Sequence, residues 1–183
     1  ADTEAMDQSI AFKGDLGLVQ ASVLYASIED NRIAIGLDTY DLDTRTYFFG
    51  SVGEEKQSYS YKYWTDSQDL RVVKETTVYT YAASGNMTKS TVYRNDAVAS
   101  SAGNIPTLIA SPVKKSETFY YGSEGSERAD YQKTWKGTTA PTNSVESTSF
   151  YFYGSSRKRA SEATLADTEA MDQSIAFKGD LGL

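Results

Sequence analysis

The stretch SYSYKYW, residues 58–64, alternates Ser58, Ser60 and Lys62 with Tyr59, Tyr61 and Tyr63. A period of two places the three rings on one face of a strand. ETTVYTY, residues 75–81, behaves in the same way, with Thr77, Tyr79 and Tyr81 on one side. TYFF (46–49), TFYY (118–121) and FYFY (150–153) are aromatic on both faces. They read as strands covered on both sides or facing a neighbour in an assembly. Turn formers stand between these runs, in GSVGEE (50–55), TDSQD (65–69), AASGN (82–86), SAGNIP (101–106), GSEGSE (122–127) and TAPTNS (139–144). Gly, Asn, Asp and Ser supply the positive φ and the side-chain hydrogen bonds that hairpin turns use. Short strands with such turns predict an all-β fold built from antiparallel hairpins. RASEATLADTEAMDQSIAF, residues 159–177, is rich in Ala and Glu. Its apolar positions make no i, i+3, i+4 stripe, so strand, turn at 166–169 and strand is preferred, with a helix as the competing reading.

The pattern also repeats on a long scale. ADTEAMDQSIAFKGDLGL fills 1–18 and returns unchanged at 166–183, an offset of 165 residues (166 − 1). Self-similarity at a fixed period is the mark of repeat architectures. The chain therefore reads as one full tandem unit, 1–165, followed by the start of the next, 166–183. Each copy holds one strand-like run, residues 9–13 and 174–178, followed by the hairpin signal GDLG. The two copies are expected to share one structure and to be related by a single screw operation. No Pro-rich or Gly/Ser-rich spacer precedes TLADTE (164–169), so a rigid joint through continuous β-pairing is expected rather than a flexible linker. About 12 to 14 strands at about 4.8 Å would give roughly 60 Å of wall per period, about one turn of a narrow spiral.

Composition narrows the function classes. The 183 residues carry 18 basic and 25 acidic side chains, a net charge of −7. That balance argues against a nucleic-acid partner, which needs a basic stripe. The count of 14 Tyr, with abundant Thr, leans to strand. The chain has no Cys and no His. Ser-His-Asp and Cys-His catalysis are thereby excluded within it, as is a zinc site of the usual ligands. There is no initiator Met, no apolar run near 18 residues and no signal peptide, so an internal piece of a longer polypeptide with no membrane-spanning segment is expected.

The turns share a spacing. Phe49 precedes Gly53, Tyr81 precedes Gly85 and Tyr121 precedes Gly125, each by three intervening residues; after Tyr153 the same position holds Arg157. An aromatic residue anchors a strand end, three residues turn, and Gly takes a backbone conformation costly to other residues. On these residues the chain resembles the YD-repeat family of rearrangement-hotspot (Rhs) proteins, toxin-complex shells and teneurins, whose motif is roughly Tyr-Asp-x-x-Gly-Arg/Asn-Leu. YAASGNM (81–87) matches it at Tyr81, Gly85 and Asn86, with Ala82 for Asp and Met87 for Leu. YDLDTRT (40–46) keeps Tyr40, Asp41 and Arg45 but has Thr44 at the Gly position. YGSEGSE (121–127) and FGSVGEE (49–55) retain the aromatic and the Gly. The resemblance touches much of 40–160, with degenerate copies. It implies a long β-sheet spiralling into a hollow wall, each motif closing a hairpin. In the family such walls enclose a toxin cargo or form extracellular adhesive and structural bodies. Nothing here matches the aspartyl-protease-like motif that closes the toxin shells.

Other chemical groupings weigh less. Asp41 and Asp43 alternate on one strand face and could offer oxygens to Ca²⁺, but a solvated face is the plainer reading. Glu54–Glu55 and Glu29–Asp30 pair carboxylates, yet adjacent strand residues point to opposite faces and these lie in expected turns. RKR (157–159) reads as a charged turn, and Asn86-Met87-Thr88 is an N-glycosylation sequon. The Tyr59, Tyr61 and Tyr63 row could stack on sugar rings, although such rows more often pack across strands. The expectation is a structural protein without catalysis or cofactor. It is one unit of an extracellular fibre, tube or surface stalk whose partners are adjacent identical units. A glycan-binding adhesin and a toxin-encapsulating shell are the alternatives.

Overall fold

The computed structural model describes residues 5–13, 32–35, 38–65, 71–102, 105–137, 144–162 and 169–183. Among them lie twelve strands and no helix: β1 (Gln8–Phe12), β2 (Arg32–Ile35), β3 (Asp38–Phe49), β4 (Lys56–Thr65), β5 (Arg71–Tyr81), β6 (Met87–Tyr93), β7 (Val98–Ala102), β8 (Ile105–Leu108), β9 (Lys114–Tyr121), β10 (Arg128–Lys136), β11 (Ser144–Tyr153) and β12 (Met171–Lys178). Ten of them form one antiparallel sheet in the order β1-β3-β4-β5-β6-β9-β10-β11-β12, with β2 also on β3. β1 pairs with residues 42–47 of β3 and β2 with residues 38–41, so the two share one lateral edge. β12 forms the other edge, and the sheet does not close into a barrel.

The β3–β4 and β9–β10 turns reverse the chain tightly. The β3–β4 turn closes with Glu54 N–H donating to Ser51 O at 2.9 Å, and the β9–β10 turn with Ser126 N–H donating to Ser123 O at 2.9 Å. Gly53 and Gly125 hold the third turn position at φ 81° and 79°, where a type II turn needs glycine. β7 and β8 pair only with each other; they form a hairpin on the excursion that joins β6 to β9.

Two four-strand groups, β3-β4-β5-β6 and β9-β10-β11-β12, repeat the same construction. Tyr47 stacks on Tyr59 with centroids 4.4 Å apart, and Phe119, 72 positions after Tyr47 (119 − 47), stacks on Tyr131 at 4.4 Å. Tyr81 O–H donates to Gln57 O at 2.9 Å; Tyr153 O–H donates to Ala129 O at 2.7 Å, again 72 positions on (153 − 81, 129 − 57). Lys56 lies over Tyr81 and Arg128 over Tyr153. Thr76 and Thr148 are both fully buried.

Cross-strand register assigns the faces. One carries the rings of Tyr47, Tyr59, Tyr61, Phe119, Tyr131 and Phe150. The other is a ladder of hydroxyls and amides, with Gln132 donating to Thr118 Oγ1 at 2.9 Å and Thr134 bonded to Ser147 at 2.7 Å. Part of the aromatic face is covered by the two-stranded β7–β8 sheet, where Tyr59 O–H donates to Ser101 Oγ at 3.1 Å, and by crossing segments. The 94–113 excursion lies over Thr76, whose hydroxyl donates to Asn95 O at 2.6 Å and accepts Ala97 N–H at 3.1 Å. Arg159 spreads over Phe150 and Tyr131, at 4.7 and 5.8 Å from their centroids. The buried apolar set among the described residues is Leu42, Tyr59, Tyr93, Ala97, Val113 and Tyr153.

Four expectations change. Residues 159–162 are a bend, closed by Glu162 N–H donating to Arg159 O, and not a strand; the Arg159 side chain is drawn to Asp130 instead of lying along an edge. The Tyr40, Asp41 and Arg45 copy makes no turn: it runs through β3, because Thr44 is β-branched and resists positive φ. Residues 101, 102, 105 and 106 lie in β7 and β8. The wall per period also shortens: only eight strands advance the sheet, since β2 shares the line of β1 and β7–β8 stand off it, giving about 40 Å at about 4.8 Å per strand. Residues 66–69, 103–104, 139–143 and 163–168, and the Glu29–Asp30 pair, lie outside the described residues.

Candidate functional site: the turn end and the two edges of the sheet

The turn residues gather at one end of the strands, because each aromatic–Gly step lies on a hairpin that reverses in the same direction. The residue at the Gly position of each step takes positive φ: Gly53 at 81°, Gly85 at 91°, Gly125 at 79° and Arg157 at 52°. Arg157 is the one non-glycine residue with positive φ among those described. The left-handed region costs a side chain about 1–2 kcal/mol. Phe49 and Tyr81 meet edge to face at 5.7 Å. Asn86 closes its turn locally through Ser84 Oγ, and Thr88 donates to Thr80 O at 3.1 Å. The amide oxygen of Asn86 and the hydroxyl of Thr88 in the sequon are thus both engaged.

A cleft of about 900 Å³ opens here, lined by Phe49, Tyr81, Lys56, Glu54, Glu124 and Glu127 among others. Lys56, Glu124 and Glu127 already have partners. Lys56 Nζ lies 2.6 Å from Glu124, and Glu127 accepts Met87 N–H at 2.8 Å. The neighbouring Glu55 accepts Met6 N–H at 3.1 Å and Gly53 N–H at 3.0 Å. Hydrogen bonds from its own N–H, from Met6 and from Gly53 hold the Glu55 carboxyl below its ordinary range. These carboxylates satisfy turn amides. Among the described residues no three His, Asp or Glu side chains converge as metal ligands; Asp43 accepts Thr44 Oγ1 at 3.1 Å.

The tyrosine row is an internal packing element at its start. Tyr59 is 3% exposed, lies face to face with Tyr47 and donates to Ser101 Oγ at 3.1 Å. Tyr61 meets Tyr59 at 5.5 Å and Tyr63 at 6.0 Å, both edge to face. Burial raises the Tyr61 phenol above its usual pKa.

The lateral edges carry the most specific relationship. β1 and β12 both contain QSIAF, residues 8–12 and 173–177, and stand at opposite edges of one sheet. Seven strands lie between them, so in an antiparallel sheet they run in the same direction. Their hydrogen-bonding halves are complementary. Phe48 N–H donates to Asp7 O at 2.9 Å, and because bonded pairs alternate, Ser9 and Ala11 point their amides at β3 while Gln8 and Ile10 point theirs away. At the far edge Gly179 N–H donates to Glu146 O at 2.8 Å. There Ile175 and Phe177 point at β11, and Ser174 and Ala176 point outward. The groups that one copy turns outward are the groups that the other copy uses. The eighteen-residue identity is plain in the sequence, but the alternation that makes it meaningful depends on register, which no composition signal carries. No family model, no curated protein and no solved structure matches the chain, so its likeness to the YD-repeat family rests on the turn residues alone.

Proposed function

We propose that the chain is a structural protein: one period of a tandem β-hairpin array that forms an extracellular fibre, tube or surface stalk. The observation that carries this reading is the placement of one sequence at both edges of a single sheet, with complementary outward-pointing amides. An edge strand is a template for further pairing, and isolated proteins usually blunt it with charge, Pro or a bulge. β12 has a bulge at Asp172 and a charge at Lys178, but the run between them, Gln173–Phe177, has no charge, Pro or bulge, and Ile175 and Phe177 are 36% and 46% exposed. A following unit would cover them. The adhesin reading gains nothing from Tyr59, whose ring faces are already used.

The test is the shape of chains holding one, two and four periods, viewed by electron microscopy. A rigid rod that lengthens by about 40 Å per period supports the reading. Beads of variable separation would sink it.

A further inference from the structure

β6 lies inside the sheet with both sides paired, and its two ladders are a template. Against β5 it sets Thr76 opposite Tyr93, Val78 opposite Thr91 and Thr80 opposite Lys89, with a bulge before Tyr81–Met87. β12 repeats that ladder against β11: Thr148 opposite Phe177, Phe150 opposite Ile175 and Phe152 opposite Gln173, with a bulge before Tyr153–Met171. The hydrogen bond of Thr76 to Asn95 O recurs as that of Thr148 to Gly179 O at 2.9 Å.

The other side of β6 is repeated by β1. Against β9, β6 sets Lys89 opposite Phe119, Ser90 opposite Thr118, Thr91 opposite Glu117 and Val92 opposite Ser116, then a bulge and Tyr93 opposite Lys114. Against β3, β1 sets Gln8 opposite Tyr47, Ser9 opposite Thr46, Ile10 opposite Arg45 and Ala11 opposite Thr44, then a bulge and Phe12 opposite Leu42. The bulge falls at the same step. β12 thus makes one half of the contacts of β6 and β1 the other half, and the two halves share the sequence QSIAF.

We propose that the outer edge of β12 is a docking surface for β3 of a separate copy of this chain, β12 displacing that copy's own β1. The inference rests on the array reading above and gives it a route of assembly between chains. In the joined strand Gln173 stands opposite Tyr47, Ser174 opposite Thr46, Ile175 opposite Arg45 and Ala176 opposite Thr44. Arg45 Nε, which donates to Gln8 Oε1 at 2.8 Å, finds the same acceptor in Gln173. Phe177, 6.1 Å from Phe150, then stands opposite the buried Leu42, as Phe12 does in the single copy. Exchange replaces β1 by an identical strand already fixed on β11, so every bond that β1 made to β3 is regained and the free edge disappears.

The absence of Cys permits a direct test in the full chain. Ser174 and Thr46 lie at opposite edges of one molecule, so a Thr46→Cys, Ser174→Cys variant cannot close a disulfide within itself. Across the proposed junction the two positions form a bonded pair, about 5.5 Å between Cα atoms, within disulfide reach. Samples are heated through the melting transition, cooled at high concentration, oxidised and run without reductant. A ladder of linked multimers is expected, at least tenfold above a Thr46→Cys, Lys178→Cys variant that is four residues out of register. Equal linking in the two variants, or none, overturns the proposal. A second arm uses Ala176→Pro, which removes an outward N–H and none that faces β11. It is expected to keep the melting temperature and to lose concentration-dependent association in sedimentation; undiminished association would overturn the proposal. Straight multi-period rods together with strictly monomeric single periods would remove strand exchange and leave the array reading standing.

Discussion

Tyr47 and Tyr59 lie face to face across β3 and β4, with planes 15° apart. Tyr59 is almost wholly enclosed, with Tyr47 and Tyr61 beside it and Ser101 over its hydroxyl, and with Leu42 and Tyr93 it is a core side chain of the first four-strand group. Tyr59→Ala is expected to cost about 3–5 kcal/mol, the range for removing a buried aromatic ring. Tyr131, stacked on Phe119 in the second group but only partly buried, should cost less when truncated. Urea unfolding of the two variants checks the order.

Thr76 and Thr148 occupy equivalent places with unequal duties. Thr76→Val strands Ala97 N–H and Asn95 O beneath the excursion, a loss of about 2–3 kcal/mol for unsatisfied buried groups. Thr148→Val strands Gly179 O alone and is expected to cost about 1 kcal/mol. Hydrogen exchange at Ala97 should accelerate in the first variant and stay unchanged in the second.

Asp130 is fully buried and takes Arg159 and the Ser161 N–H at 3.0 Å. Arg159→Met leaves that carboxylate without its cation, and a loss of about 3 kcal/mol is expected. Asp130→Ala should cost less, because Arg159 is partly exposed and can turn to water. The double variant should cost less than the two single losses added together, as a double-mutant cycle would measure.

Tyrosine ionisation sets an alkaline limit. Burial is the largest cause lifting Tyr81 from its ordinary value of 10.0 to about 12; burial also raises Tyr47, Tyr93, Tyr131, Tyr151 and Tyr153. Above about pH 10 the unfolded chain loses phenol protons that the folded chain keeps, so stability falls as pH rises. The contribution of Tyr81 is fully present below pH 10.0 and is gone once pH has risen through about 12. Melting temperatures should hold steady below about pH 9 and drop steeply above about pH 10, with tyrosinate absorbance rising in step. Tyr81→Phe should shrink the drop.

Much of this fold is legible in residues. The Ser–Tyr alternation at 58–64 marks β4, because a half-buried strand must alternate. The fixed step from aromatic to Gly marks hairpin reversals, because positive φ is costly elsewhere. The equivalence of the two four-strand groups is harder to see. It survives in Gly50 and Gly122, Gly53 and Gly125, and Thr76 and Thr148, but between β6 and β12 the offset grows to 84 (177 − 93), since the turn after Tyr153 is longer. Bulges at Ser58 and Asp130 leave no local signature, and they decide which residues face inward. The 159–162 bend was hidden for a similar reason: its conformation is set by a carboxylate 29 positions away.

The aromatic face is roofed by crossing segments, and only six apolar side chains are buried among the described residues. Heat capacity on unfolding rises with apolar surface newly wetted and falls with polar surface, and this sheet exposes much of the second kind. Its heat-capacity change per residue should lie below the usual 12–15 cal/mol/K, giving a flatter stability curve. A molecule with that curve loses little of its stability on cooling, and calorimetry over a range of temperatures would display it as a shallow dome with its cold limit pushed far below freezing.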